Sequence, residues 1–145
     1  MTETQQQQLI RSTFSEVDRI SQVFALTFYQ RLFELDPQLR SLFHNDIEEQ
    51  SRKLMQFLRQ LVESVDHPED IVPALKSLGR RHATYGVREE HYETVGAALL
   101  WTFGQVLGSG FTAEARAAWE RLYVRVAEIM KRAVRINPVP NYEPS

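Results

Sequence analysis

The chain has 145 residues, enough for one domain that buries a core without stapling disulfides. It contains no cysteine, which excludes iron–sulfur clusters, zinc ribbons and thiol catalysis. Seventeen basic and nineteen acidic residues give a formal charge of −2 without a long run of one sign, so we expect no nucleic-acid partner. Residues 1–8 lack the apolar segment of a signal peptide, and the longest apolar stretch, residues 95–103, is too short to span a bilayer. We therefore expect a cytoplasmic protein without a membrane partner.

Side chains recur at helical spacing along the whole chain, and the alternation typical of strands is scarce. Six stripes predict six main helices. In chain order their members are Ile10, Thr13, Phe14 and Val17; Phe24, Phe28, Leu32 and Leu35; Leu54, Phe57, Leu58, Leu61 and Val65; Ile71, Leu75 and Leu78; Val95, Leu99, Thr102, Phe103 and Val106; and Ala115, Trp119, Leu122, Val126, Ile129 and Ala133.

Helix-breaking residues fall between the stripes. Pro37 ends the second helix and opens a short new one, Pro68 and Gly86 flank the fourth, and Thr112 is placed to cap the last. The pattern predicts an all-α domain over residues 9–136, with disordered residues 1–8 and a loose tail over residues 137–145. Periodicity alone does not choose between a simple antiparallel bundle and helices that cross more steeply around a pocket.

His82 continues the fourth stripe, eleven residues after Ile71, so it faces the interior. A single histidine in such a place is more often a core residue bonded to a backbone carbonyl. The alternative is an axial metal ligand, which offers a neutral imidazole nitrogen.

Three further polar residues accompany the apolar stripes. Gln50 lies one turn before Leu54 and points inward, Tyr29 lies in an aromatic segment, and Lys53 flanks the third stripe. Taken singly, each fits a structural interpretation: a helix start, a core aromatic and a solvated charge. Together with His82 they supply one imidazole, hydrogen-bond donors and a cation, which is the set that a haem pocket in a helical protein needs.

At these residues the sequence resembles the single-domain bacterial globins and the haem domain of flavohaemoglobins, and more distantly neuroglobin. The resemblance runs over residues 9–132. The segments that carry it are LGRRH at 78–82 followed by YGV at 85–87, FYQRLF at 28–33 followed by Asp36-Pro37 and Leu42-Phe43, and QSRKLM at 50–55.

The resemblance implies the globin fold around one haem b. His82 becomes the proximal iron ligand, and Tyr29 and Gln50 become the functional pair on the opposite, distal side. The residues expected to contact haem are Phe28, Phe43, Lys53, Leu54, Arg81, His82, Tyr85, Val87, Tyr92 and Val95. Either Arg80 or Arg81 is expected to pair with a propionate, whereas His44, His67 and His91 are interpreted as surface residues.

Two departures from the family pattern matter. Gln50 stands where animal myoglobins and neuroglobin have a histidine, which excludes bis-histidine coordination through that position. In flavohaemoglobins a tyrosine and a late glutamate polarise the proximal histidine. Tyr92 matches the tyrosine, but the glutamate falls near Ile136, so this outer shell looks incomplete.

Tyr29 and Gln50 offer two hydrogen-bond donors to a ligand that acquires negative charge when it binds. This arrangement predicts reversible dioxygen binding with high affinity. Tight binding suits nitric oxide dioxygenation to nitrate. The chain ends at Ser145 without the reductase module of flavohaemoglobins, so we expect a separate reductase. The alternative is a binding, storage or sensing protein for dioxygen, nitric oxide or sulfide. We expect a monomer or a weak homo-oligomer.

Overall fold

The computed structural model describes residues 2–43 and 46–137. Within these ranges all regular structure is helical, as predicted. The α-helices are α1 Glu3–Asp18, α2 Ser21–Leu35, α3 Ile47–Glu63, α4 Val72–Thr84, α5 Glu89–Leu107 and α6 Ala113–Ile136, and short 3-10 helices cover Pro37–Leu42, Pro68–Asp70 and Gly108–Gly110. No helix in this part of the chain has the length and apolar character needed to cross a bilayer.

The predicted helix breaks are confirmed by local hydrogen bonds. The Asp36 carboxylate accepts the Gln38 N–H at 3.1 Å, just where Pro37 begins the short 3-10 helix. The Thr112 hydroxyl accepts the Ala115 N–H at 3.1 Å and caps α6.

The start of the chain differs from the sequence-based expectation. Residues 3–8, predicted to be disordered, form the first turns of α1. Thr2 caps this helix by accepting from the Gln5 N–H at 3.1 Å, while the Thr2 N–H donates to the Gln5 side chain at 2.8 Å. Residues 138–145 of the predicted tail and His44 lie outside the described residues.

The main core lies where α1, α2, α3, α5 and α6 meet. Phe103 is fully buried at its centre, with its ring centroid 4.9 Å from that of Phe24 and 4.5 Å from that of Trp119. A second, smaller cluster joins the end of α3 to α4 and α6 through Leu61, Leu75 and their neighbours.

Helix α4 is held mainly by α6. The two backbones approach so closely at Gly79 that a Cβ there would lie 2.6 Å from the Met130 carbonyl oxygen. In the described residues α4 has no comparably close backbone packing against α3 or α5. Beyond the cluster around Leu61 and Leu75, α4 therefore makes few backbone contacts with α3 or α5.

Candidate functional site

His82 lies in the last turn of α4, where a glycine turn fixes the helix end. The His82 carbonyl accepts the Val87 N–H at 3.0 Å, and the Ala83 carbonyl accepts the Gly86 N–H at 3.1 Å. Gly86 has φ 103°, a conformation that glycine adopts readily. This is the Schellman arrangement, and it fixes the backbone of His82 and brings Val87 back beside the helix end.

The half-buried imidazole of His82 is neutral at physiological pH. Burial, assisted by the charge of Arg81, lowers the pKa of His82 to about 4. Within the described residues no hydrogen bond is among the causes of that shift. A neutral imidazole is the form that binds iron, and His82 is therefore a candidate metal ligand.

Tyr29 reaches from α2 to the first turn of α3. Its buried hydroxyl donates to the backbone carbonyl of Gln50 at 3.1 Å. Burial raises the pKa of Tyr29 well above the ordinary value, so the phenol keeps its proton. The structure therefore brings Tyr29 and Gln50 together, but through the Gln50 backbone. To donate to a ligand, the Tyr29 O–H must turn away from this carbonyl.

Aromatic rings surround Tyr29. The centroid of its ring lies 5.0 Å from that of Phe28 and 5.5 Å from that of Phe43. Phe33, which is not among the predicted haem contacts, lies 5.4 Å from Phe43 and carries the Arg40 guanidinium 4.9 Å above its ring. Phe33 lies one helical turn after Tyr29 in the same aromatic segment. This spacing could have identified it as a neighbour of Tyr29.

Helix α3 presents two adjoining faces. One is fully buried against the bundle and comprises Ser51, Met55, Leu58, Leu61 and Val62. The other face is only half-buried and comprises Gln50, Leu54 and Phe57, which follow one another at helical spacing. Lys53 is exposed, with its Nζ 3.7 Å from a carboxylate oxygen of Glu49.

The other predicted contacts divide by exposure. Val87, Tyr92 and Val95 are half-buried, like Leu54 and Phe43, whereas Arg81 and Tyr85 are exposed. Tyr85 has 58% of its surface accessible. The half-buried apolar side chains among them lie on α3 and α5 and in the segments that precede α3 and follow α4.

A polar contact between α5 and α6 supports Tyr92. The Tyr123 hydroxyl donates to the Tyr92 carbonyl at 2.5 Å. A Cβ on Gly96 would lie 2.6 Å from the Tyr123 ring, so only glycine leaves room for it. Burial, with a smaller contribution from the Glu89 charge, raises the pKa of Tyr92 to about 12.

Glu89 is itself held by α6. The Arg135 guanidinium donates to both Glu89 carboxylate oxygens, at 2.5 and 2.8 Å. Sequence reasoning missed this pair, because both residues are exposed and 46 positions apart and so carry no pattern.

Comparisons with known proteins identify the family. The Globin family model matches residues 26–130. A flavohemoprotein of Rhizobium meliloti is 34% identical over 106 residues, which are 71% of this chain and 26% of that protein. A flavohemoprotein of Bordetella parapertussis is 30% identical over 125 residues, 84% of this chain and 31% of that protein. The chain thus matches less than a third of the length of these relatives.

Solved structures agree with the fold. An engineered carbene transferase, made from a candidate nitric oxide dioxygenase of Rhodothermus marinus, superimposes with a TM-score of 0.81 at 29% identity. The match covers 91% of this chain and 93% of that one. A bacterial globin from Campylobacter jejuni gives a TM-score of 0.80 at 22% identity over 92% and 96% of the two chains. This chain belongs to the globin family, whose members carry haem and bind small gaseous ligands.

Proposed function

We propose that this globin binds haem b with His82 as the proximal iron ligand and with Tyr29 and Gln50 on the distal side. The observation that carries the proposal is the His82 ring, which is neutral and has no hydrogen-bond partner within the described residues. Tyr29 and the first turn of α3 are already joined by a hydrogen bond, and half-buried apolar side chains lie on α3, on α5 and in the turn after α4.

When bound, haem supplies an iron with one coordination position open to dioxygen, nitric oxide or another small ligand. Tyr29 remains a neutral donor because burial raises its pKa. Its O–H can leave the Gln50 carbonyl without leaving that oxygen unpaired, because a carbonyl inside α3 keeps its helical hydrogen bond. The Gln50 amide offers a second donor, and the side chains of Phe28, Leu54 and Val95 exclude water.

The activity that we propose is nitric oxide dioxygenation. Nitric oxide, dioxygen and one electron give nitrate, and the electron comes from a separate reductase. Two donors that hold dioxygen tightly suit a reaction in place more than delivery to another site. The names of the relatives support the proposal, since two are flavohemoproteins and the first structure derives from a candidate nitric oxide dioxygenase.

Turnover distinguishes this activity from gas binding alone. We expect the haem-loaded protein, supplied with dioxygen and a reductase, to consume repeated additions of nitric oxide and to release one nitrate for each. Nitrate that stops at one equivalent per haem would contradict the enzymatic proposal and favour the alternative, a binding, storage or sensing protein.

The role of His82 is tested separately. We expect His82→Gly to lose the Soret band of the haem-loaded protein and to regain it when free imidazole is added. His67→Gly, a change at an exposed turn histidine, serves as the matched control and should keep the band. A His82→Gly protein with an unchanged spectrum would refute the assignment.

A further inference from the structure

The charge of the chain is unevenly distributed. Residues 71–88, which span α4 and the turn after it, contain Lys76, Arg80, Arg81 and Arg88 and neither aspartate nor glutamate. This segment therefore carries +4 in a chain whose formal charge is −2, and the remaining residues carry −6.

These cations are poorly compensated by neighbouring acids. Lys76, Arg81 and Arg88 are exposed. Within the described residues Lys76 and Arg81 form no ion pair, and Arg88 lies 3.8 Å from Glu90. The half-buried Arg80 donates to the carbonyl of Asn137 at the end of α6. The exposed side of α4 and the turn after it thus carry positive charge; we call this surface the α4 face and define it as Lys76, Arg81, Tyr85 and Arg88.

The composition of the α4 face resembles that of a binding surface. Tyr85 follows Arg81 by one turn and exposes 58% of its area. Tyrosine and arginine are enriched among residues that dominate binding energy at protein interfaces. The helix beneath is in close backbone contact with α6, because Gly79 lies against the Met130 backbone. A preformed surface loses less conformational entropy when a partner binds.

The position of this face relates it to the proposed haem site. Lys76 and Arg81 lie on the exposed side of the helix that carries His82. Neighbouring residues of an α-helix are ~100° apart, so a partner seated at Arg81 is separated from the His82 side by less than one helix diameter, ~10 Å. The distance that an electron must travel from a partner to the His82 side is therefore short where the positive charge of the chain is concentrated.

We propose that the α4 face is the docking surface for an acidic flavoprotein that delivers single electrons to this globin. The proposal rests on the proposed function, which needs one external electron per turnover. With haem bound, the reduced flavin would give one electron to the ferric globin in each encounter and would itself be oxidised by one electron. Opposite charges on the partners raise the encounter rate and orient the complex, and both effects weaken as salt is added.

Cross-linking gives a readout that is independent of activity. The chain has only three lysines, Lys53, Lys76 and Lys131. We expect a carbodiimide to join Lys76 to carboxylates of the probe, an acidic flavodoxin, at low ionic strength, while Lys53 and Lys131 serve as internal controls. Cross-links confined to Lys53 or Lys131 would overturn the proposal.

Electron-transfer kinetics test the same surface. Reduction of the ferric protein by reduced flavodoxin is followed by stopped flow without nitric oxide, so a failure of dioxygenation does not affect the result. We expect Lys76→Glu to slow this reduction by about tenfold at low salt and to leave reduction by dithionite unchanged. Arg121→Glu, the same charge reversal at an exposed residue of α6, should behave like wild type.

Two results would contradict the docking assignment. One is a reduction rate that does not change with ionic strength or with Lys76→Glu. The other is binding of phosphatidylglycerol vesicles that equals flavodoxin binding and is likewise lost in Lys76→Glu, which would identify an anionic membrane surface as the partner instead.

Discussion

At the scale of single residues, Tyr29 joins α2 to the first turn of α3. Its hydroxyl donates to the Gln50 carbonyl at 3.1 Å and is proposed to turn towards a bound ligand. A hydrogen bond to a charged acceptor contributes about 1.5–3 kcal/mol, and each ~1.4 kcal/mol is a factor of ten. We therefore expect Tyr29→Phe to raise the dioxygen dissociation rate by about 10- to 100-fold, measured by stopped flow.

The control for this change is a second buried phenol. Tyr123→Phe removes a hydroxyl that donates to the Tyr92 carbonyl and should leave the dissociation rate close to that of wild type. Equal rates in wild type and Tyr29→Phe would remove the case for Tyr29 as a donor to the ligand.

Buried phenols also predict how stability depends on alkaline pH. Burial raises the pKa of Tyr92 to about 12 and raises those of Tyr29 and Tyr123 as well. In the unfolded chain tyrosines ionise near pH ~10. Their contribution is thus fully present below that pH and is lost as the pH rises through the folded-state values.

The free energy of unfolding should accordingly fall above pH ~10. Tyr123→Phe removes one of these groups, so its curve should fall less steeply, by about 1.4 kcal/mol per pH unit. Urea unfolding between pH 8 and 12 measures both curves. Parallel curves for wild type and Tyr123→Phe would contradict this account.

The residue-level site was only partly predictable from the sequence. The stripe of α4 predicted that His82 faces inward, because helical spacing determines the face on which a residue lies. It could not predict that the Tyr29 hydroxyl meets the Gln50 carbonyl. That contact depends on how α2 and α3 are positioned against each other, which neither helix encodes alone.

At the scale of elements, the seating of α4 on α6 controls where His82 lies. A Cβ on Gly79 would lie 2.6 Å from the Met130 carbonyl oxygen, whereas a Cβ on Gly104 in α5 would meet nothing within 4 Å. The first substitution must push two backbones apart, but the second only removes the conformational freedom of a helical glycine.

We therefore expect opposite effects from one chemical change. Gly79→Ala should lower the free energy of unfolding by about 1–3 kcal/mol and weaken haem retention, because α4 carries His82. Gly104→Ala should raise it by about 0.5–1 kcal/mol. Urea unfolding and haem transfer to an acceptor globin measure these effects. Destabilisation of equal size in both variants would show that the close approach at Gly79 is unimportant.

Helix boundaries were predictable where they depend on local chemistry. Pro37, Gly86 and Thr112 each end or begin an element through a bond or dihedral angle that the residue type favours. The first turns of α1 were missed because residues 3–8 offer no apolar stripe. They are ordered by a capping box, Thr2 with Gln5, which the search for apolar periodicity does not detect.

At the scale of the whole molecule, periodicity predicted an all-α chain but not the way its helices cross. The choice between a bundle and a globin came from the resemblance and is confirmed by the family match and the superposed structures. The physical reason is that an apolar stripe shows which face is buried and not which helix covers it. The close crossing of α4 and α6 at Gly79 needs a partner 51 residues away in the chain.

The uneven packing of the molecule predicts which parts depend on haem. Helices α1, α2, α5 and α6 and the buried face of α3 share the main core, whereas α4 is held mainly by α6. A ligand that binds only the folded state stabilises it, and the gain in local order should be largest where packing is sparse. We expect haem removal to speed amide hydrogen exchange most in α4 and at the start of α3, and least in α2 and α5. Exchange measured by mass spectrometry on apo and haem-loaded protein provides the test, and a uniform increase over all helices would contradict a pocket bounded by α3 and α4.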